Sequence, residues 1–385
     1  MKRKEDQLII LGAKFESLPG DQKKIEILLS EEIDWNYLFH STIRQCTLPL
    51  FLRTINHLPL SVIPALHAQA FNTENRKIFK TNLVLLTEMF RFIKILEDQG
   101  IKSICFKGPV LAAMNYSDPG LRQFTDLDFA VENADLAQKA KNILLSHGYR
   151  LADEMNGVQE FHYLQTQCEY HLVNSQGTIF IDLHWQIFHS YFSFPFSLSE
   201  AFSRLTSVQI FQRPVLTFCP EDLLLILCAH GTKHLWEKLS LVCDVFALIQ
   251  RNPSLNWDQV QTRAKKLGSE RMLLLGVSLT QILFQAELPP EITRKIQHGS
   301  RIFSLARKIS KRMFKNPPEE FGLLEEFFFL VKCKERAWDR IRFSLLGSFT
   351  PSMPDFLLFP LPKVLFPLYY FLRPIRLLYQ TFFRE

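Results

Sequence analysis

The chain has 385 residues, of which 47% are hydrophobic and 22% charged, with a formal net charge of +6 and a mean hydropathy of zero. This is a globular composition, long enough for two or three sub-domains with a real core, and it excludes a disordered chain and a multi-span membrane protein. Most of the positive charge is local: between residues 301 and 345, 11 basic residues outnumber 6 acidic ones, and the rest of the chain is nearly neutral.

Seven cysteines (46, 105, 168, 219, 228, 243 and 333) are odd in number, widely spaced and without a C-x-x-C pair. They read as buried thiols of a reducing cytoplasm, not as a disulfide framework or a zinc site. The apolar run from Leu8 to Leu11 is too short for a signal-peptide core, so the expectation is a cytoplasmic protein.

Residues 25–96 have helical periodicity, with Leu83, Leu86, Phe90, Ile93 and Leu96 at spacings of three and four. Gly100 stops the last of these helices. A short apolar strand is predicted over 103–106, broken by Lys107-Gly108-Pro109, and a helix over 110–116. Ser117-Asp118-Pro119-Gly120 is a turn by composition. The next strand runs over 127–131, entered through Asp126, and Asn133 starts a helix that His147-Gly148 closes. Alternating segments over 160–164 and 169–173 read as strands, and a third strand over 178–184 follows the turn at 174–177.

Beyond residue 200 the pattern is helical apart from a short strand over 215–218, with helices predicted from Pro220 to His230 and over 257–267, 270–285 and 302–314. The fold class expected is α+β, divided into an N-terminal helical region (1–97), an α/β core (98–200) and a helical C-terminal region (201–385). The segment from Phe356 to Leu372 is long enough to cross a bilayer but holds three Pro and one Lys. Those prolines would leave backbone groups unsatisfied in lipid, so the segment either packs on the protein's own core or lies peripherally at a membrane surface.

The chemistry-bearing residues concentrate in the middle of the chain. Residues two apart in a strand project to one face, so Asp126 and Asp128 can present both carboxylates to one point. Two converging carboxylates repel unless a cation lies between them, and Mg²⁺, or Mn²⁺, suits hard oxygen ligands and bridges carboxylates to phosphates. Asp182, on a later strand, would complete such a metal site if the two strands are neighbours, and could accept a proton from an attacking hydroxyl. Gly108 would let backbone approach a phosphate, and Lys107 or Arg122 could neutralise it. The plainer alternative is that these carboxylates cap a helix or solvate a strand end. Neither an EF-hand loop nor a Walker A loop fits.

Taken together, FKGPVLAAMNYSDPGLRQFTDLDFAV and the later IDLHW resemble the uncharacterised bacterial nucleotidyltransferase family of the DNA polymerase beta-like superfamily. The later stretch with His230, Lys233-His234-Leu235-Trp236 and Asp244 resembles it too, so that the likeness covers roughly residues 90–249. The resemblance implies a minimal mixed sheet carrying Asp126, Asp128 and Asp182 around a divalent metal. It also implies transfer of a nucleoside monophosphate from an NTP to an acceptor hydroxyl, with pyrophosphate leaving. One departure stands out: the wider superfamily has Gly-Ser at the first turn, and here the turn is Lys107-Gly108-Pro109, where the proline removes a backbone donor.

Other residues have more than one reading. His230 and His234, four apart on one helix face, line the cleft, belong to an ordinary structural helix, or bind zinc. Lys233 meets phosphate or is a solvated lysine, and His184 touches the metal site or is a satisfied strand-end histidine. The basic segment from Arg301 to Arg342 attracts an anionic acceptor such as RNA or a membrane surface, or is a solvated helical face. Nucleic acid is not the favoured partner, because the charge lacks aromatic interleaving.

Overall fold

The structure, a computed structural model, describes residues 3–16, 18, 20–56, 63–315 and 321–383. Met1, Lys2 and the part of the basic segment at 316–320 lie outside the described residues.

Five short strands form one sheet: β1 (Ile104–Cys105), β2 (Asp126–Ala130), β3 (Arg150–Leu151), β4 (Glu169–Val173) and β5 (Phe180–His184), in the order β1-β2-β5-β4-β3. β2 and β5 run parallel, whereas the other neighbours are antiparallel. This is the mixed sheet of an α+β fold, and all its strands lie between residues 104 and 184. The parallel pair is possible because a long crossover separates its strands, including the helix Ala134–Ser146. That helix starts where the sequence indicates, with the Asn133 side chain accepting from Leu136 N.

Strand alternation divides the sheet into two unlike faces. Leu127, Phe129, Tyr170, Leu172, Ile181 and Leu183 form a fully buried apolar face. It packs on the helix Ala65–Glu97, where Phe92 stacks on Phe129 with ring centroids 4.0 Å apart. Each such side chain contributes roughly 1.5–3 kcal/mol of burial. The inward-facing residues of that helix include Ile78, Asn82, Leu85, Leu86, Met89, Phe92 and Leu96, while Leu83 is exposed and Phe90 and Ile93 only half-buried. Leu86 and Leu96 of the predicted stripe thus face inward, and the rest of it turns toward solvent. A polar group helps set the true one: the Asn82 amide donates to the carbonyls of Pro119 and Arg122, both at 2.8 Å.

Two other local predictions are corrected. Residues 160–164 belong to the helix Gly157–Thr166, not to a strand. Asn156 opens it with a capping box: its side chain accepts from the backbone of Val158 and Gln159, and Gln159 accepts in return from Asn156 N. Farther on, β6 (Thr206–Ile210) pairs with β7 (Arg213–Thr217) in a hairpin of which only the second strand is predicted, at 215–218. Its two-residue turn is Phe211-Gln212, both at positive φ, where Asn-Gly or another glycine pair would have been the readable signal.

The remainder is helical. Trp257–Leu267 and Glu270–Phe284 match the predicted helices within a residue, and Pro220–Lys233, Leu239–Arg251 and Ser300–Arg312 lie beside them in sequence. Their apolar faces merge with those of the N-terminal helices, so that Leu8, Phe51, Trp236, Phe246 and Phe284 belong to one core while the sheet's apolar face anchors a second. The tail enters this second core through Met353, Phe356 and Tyr369. Leu357, Leu358, Val364, Phe371 and Ile375 remain exposed. Among the described residues no helix is long and apolar enough to cross a membrane.

One polar clamp joins the helical region to the sheet. Asp244, on Leu239–Arg251, accepts from Arg122 Nε at 2.9 and 3.1 Å and Nη2 at 2.9 Å, and from the Tyr116 hydroxyl at 3.1 Å. Both partners are largely shielded from solvent, so removing one strands the other's charge. Asp244→Ala is expected to destabilise the fold by about 3–5 kcal/mol, measured as a lower denaturant midpoint; a loss under about 1 kcal/mol would mean that solvent reaches and satisfies Arg122.

Candidate functional site

The second face of the sheet is polar. In the parallel pair Asp128 lies opposite Asp182 and Ala130 opposite His184, while β4 sets His171 opposite Asp182 and Glu169 opposite His184. Alternation therefore gathers Asp126, Asp128, Asp182, His184, Glu169 and His171 on one side. Carboxylate oxygens of Asp128 and Asp182 and a ring nitrogen of His184 lie within 4.8 Å of one another.

Asp128 is the centre of a buried ionic chain. Lys107 Nζ stands 2.6 Å from its Oδ1, and His184 Nε2 is 3.4 Å from the same oxygen. The other ring nitrogen of His184, Nδ1, is 2.8 Å from Glu169 Oε2. Burial alone would push the Asp128 carboxyl up, but the Lys107 ammonium and the His184 ring outweigh it and hold it far below the usual carboxylate range. Burial likewise opposes charge on His184, yet Glu169 and Asp128 keep its pKa well above the ordinary histidine value. The charged form of His184 is therefore favoured between Glu169 and Asp128, which makes it a support for Asp128.

Asp126 has the opposite character. Among the described residues no hydrogen bond or ion pair reaches its carboxylate, and burial followed by the charges of Asp128 and Asp182 raises its pKa. Asp182 is held by His171, whose Nδ1 lies 2.7 Å from Oδ1; that hydrogen bond is the main reason the His171 pKa is raised. The donor set of Asp126, Asp128 and Asp182 is all oxygen and carries excess negative charge, which fits a divalent cation of the Mg²⁺ type.

The turn before the site is fixed by glycine. Gly108 has φ +51°, and a Cβ there would meet the Asp126 carbonyl at 3.3 Å. The close approach is thus to the start of β2, which aims the extended Lys107 over Asp128. Arg122 is committed to Asp244 and reaches this face only through its charge, which acts on Asp126. From the end of Pro220–Lys233, half-buried Lys233 acts electrostatically on Glu169, and His230, kept neutral by burial and by Lys107, faces the same region. His234 stacks near His230 with centroids 4.4 Å apart, and no third metal donor joins them among the described residues.

The structure thus brings Lys107, Asp126, Asp128, Asp182 and His184 together, with His230 and Lys233 beside them. Glu169 and His171 are functional-face residues that the sequence reading missed. Their signal is the polar alternation of EYHLV against the alternation of FIDLH, once the turn at 174–177 is taken to pair the two strands.

The raised pKa values of Asp126 and His184 act in the same direction with pH, over different windows. Asp126 holds its proton more tightly in the folded chain than in the unfolded one, so its stabilisation is present at low pH and is lost as pH rises through its elevated pKa. His184 contributes fully below the ordinary histidine pKa near 6.5 and loses that contribution as pH climbs through its raised value. Asp126→Asn is therefore expected to raise the melting temperature of metal-free protein at neutral pH by on the order of 1–2 °C and to abolish the further rise that Mg²⁺ gives the wild type; calorimetry with and without Mg²⁺ reads both.

No curated protein matches the chain. Among solved structures it is similar to a crystal structure of an antigenic nucleotidyltransferase-like protein from Paracoccidioides brasiliensis, at 17% identity and a TM-score of 0.31, covering 54% of this chain and 93% of that one. The sequence profile of the uncharacterised nucleotidyltransferase family matches residues 31–285, a span that contains the whole sheet, its polar face and the helix bearing Asp244. The chain belongs to the uncharacterised nucleotidyltransferase family.

Proposed function

We propose that this protein is a metal-dependent nucleotidyltransferase that moves a nucleoside monophosphate from an NTP to a hydroxyl acceptor and releases pyrophosphate. The observation that carries the reading is the three-carboxylate face of β2 and β5, with Asp128 and Asp182 side by side and Asp126 left without a counter-ion. Asp126, Asp128 and Asp182 would hold Mg²⁺ or Mn²⁺, which when bound supplies charge neutralisation for the triphosphate and the leaving pyrophosphate.

The remaining work falls to the chain's own groups. Asp182, oriented by His171, takes the proton of the acceptor hydroxyl as that oxygen attacks the α-phosphorus and the bond to pyrophosphate breaks. His184, anchored on Glu169, keeps Asp128 ionised and in place. Lys107 neutralises Asp128 in the nucleotide-free chain and is near enough to the turn at Gly108 to exchange that carboxylate for a phosphate oxygen. Lys233 and neutral His230 border the same face, and Arg122 acts as a positioning residue through Asp244.

A specific observation favours a second reading, a nucleotide-binding or scaffold protein without turnover: Lys107 and Arg122, the cations suited to phosphate, are both engaged by carboxylates. A phosphotransferase using the same carboxylates would release nucleoside diphosphate instead. Asp128→Asn is expected to lower pyrophosphate release from a labelled NTP in cell extract by at least about 10³-fold while circular dichroism stays that of the wild type. Turnover near wild type in that variant would remove the mechanism, and labelled nucleotide bound without pyrophosphate would favour the scaffold.

The tail bears on location. Exposed large apolar side chains cluster between Leu324 and Tyr379, including Trp338, Ile341, Leu345, Phe371 and Ile375, close in sequence to the basic segment. This pairing supports peripheral contact with an anionic membrane surface. Phe371→Glu together with Ile375→Glu is expected to reduce co-sedimentation with phosphatidylserine vesicles several-fold, whereas unchanged sedimentation would leave the tail without that role.

A further inference from the structure

A second cluster of metal-ligating side chains lies at the start of β4, sharing Glu169 with the site already described. Sγ of Cys168, a carboxylate oxygen of Glu169 and a ring nitrogen of His189 fall within 4.8 Å of one another. Cys168 is 1% exposed, and the Glu169 side chain is largely shielded from solvent. His189 comes from the loop after β5, brought back because the amides of Trp185 and Gln186 both donate to the Cys168 carbonyl, at 2.9 and 3.1 Å.

The histidine supplies an independent sign of a ligand. The Nδ1 atom of His189 is buried and has no hydrogen-bond partner among the described residues. A neutral ring with a nitrogen free in this way can offer its lone pair to a metal. Burial, helped by the nearby Lys233 ammonium, lowers the His189 pKa to about 4 and keeps the ring neutral. An unpartnered buried ring nitrogen costs free energy that coordination would recover.

We infer that Cys168, Glu169 and His189 form a binding site for a thiophilic transition-metal cation, of which Zn²⁺ is the best match. One sulfur, one imidazole nitrogen and one carboxylate oxygen make a mixed set that suits Zn²⁺ and suits Mg²⁺ poorly. Binding displaces the Cys168 proton to solvent, and metal–sulfur coordination replaces the S–H bond. The fourth position is left to water or a further ligand. Such an ion ties the 185–197 loop to β4 and, through Glu169, steadies the His184 that supports Asp128. The absence of a C-x-x-C pair conceals this site from spacing rules, since its donors are an adjacent Cys-Glu and a histidine twenty residues on.

The test uses the full chain, stripped with a chelator and titrated with Co²⁺. One equivalent is expected to bind with a thiolate-to-cobalt charge-transfer band. His189→Ala and Cys168→Ser should each remove that band and weaken binding by more than the 10–100-fold that loss of an outer-shell partner costs. Asp128→Asn should leave the band intact, so that failure of the catalytic reading and failure of this one remain separable. Cobalt bound without a thiolate band, a band unchanged in His189→Ala, or no cobalt bound would each overturn the proposal. If Cys168→Ser does not fold, His189→Ala, at a half-buried position, decides.

Discussion

The polar face of the sheet depends on how one buried carboxylate is kept charged. Asp128 is 4% exposed, and a lone carboxylate in that setting would take up a proton instead of staying ionised. It stays ionised because Lys107 and His184 share its Oδ1 and because Glu169 secures His184 from behind. The rest of the local architecture serves that chain of charges. Gly108 allows the turn that aims Lys107, parallel pairing of β2 and β5 sets His184 beside the β2 carboxylates, and the apolar face beneath, stacked on Phe92, holds the strands in register.

The parts of this arrangement that follow from local rules are visible in the sequence. Alternation in TDLDFAV and IDLHW shows which residues share a face, and the Asn133 cap starts its helix as expected. What depends on tertiary choice is less visible. The helix Ala65–Glu97 has apolar residues on more than one side, and its docking on the sheet, including Asn82 on the carbonyls of the loop before β2, selects the inward stripe. The 160–164 segment alternates like a strand, but the reciprocal Asn156–Gln159 cap makes it a helix. A hairpin turned through Phe-Gln carries no turn chemistry for a reader to find.

The same division applies to the site. Asp126, Asp128, Asp182 and Lys107 are identifiable as chemistry from residue type and spacing; the structure sets Asp128 close to Asp182 and Lys107 and leaves Asp126 on the same face. Arg122 is suited to phosphate by type, but the guanidinium is matched bidentately to a carboxylate 122 residues away, a pairing no local pattern foretells. Glu169 and His171 escape notice for the converse reason. Their roles are created by antiparallel pairing with β5, which sets each against a residue already recognised as functional.

The charge balance on this face weighs against its being only a structural relic. Asp126, Asp128, Asp182 and Glu169 are opposed by Lys107 and His184, with His171 joining at an exposed position. Lys233 adds a positive charge near Glu169, yet Asp126 is the carboxylate that no ion pair reaches among the described residues, and its pKa is raised by burial and by its two neighbours. An asparagine would match its shape without the repulsion. A fold kept for its packing alone gains nothing from a half-buried carboxylate with no partner, because each such group lowers stability at neutral pH. An unpaired carboxylate beside two others fits a site whose electrostatic cost is recovered when a cation arrives, and this is the feature that supports the proposed metal-dependent reading.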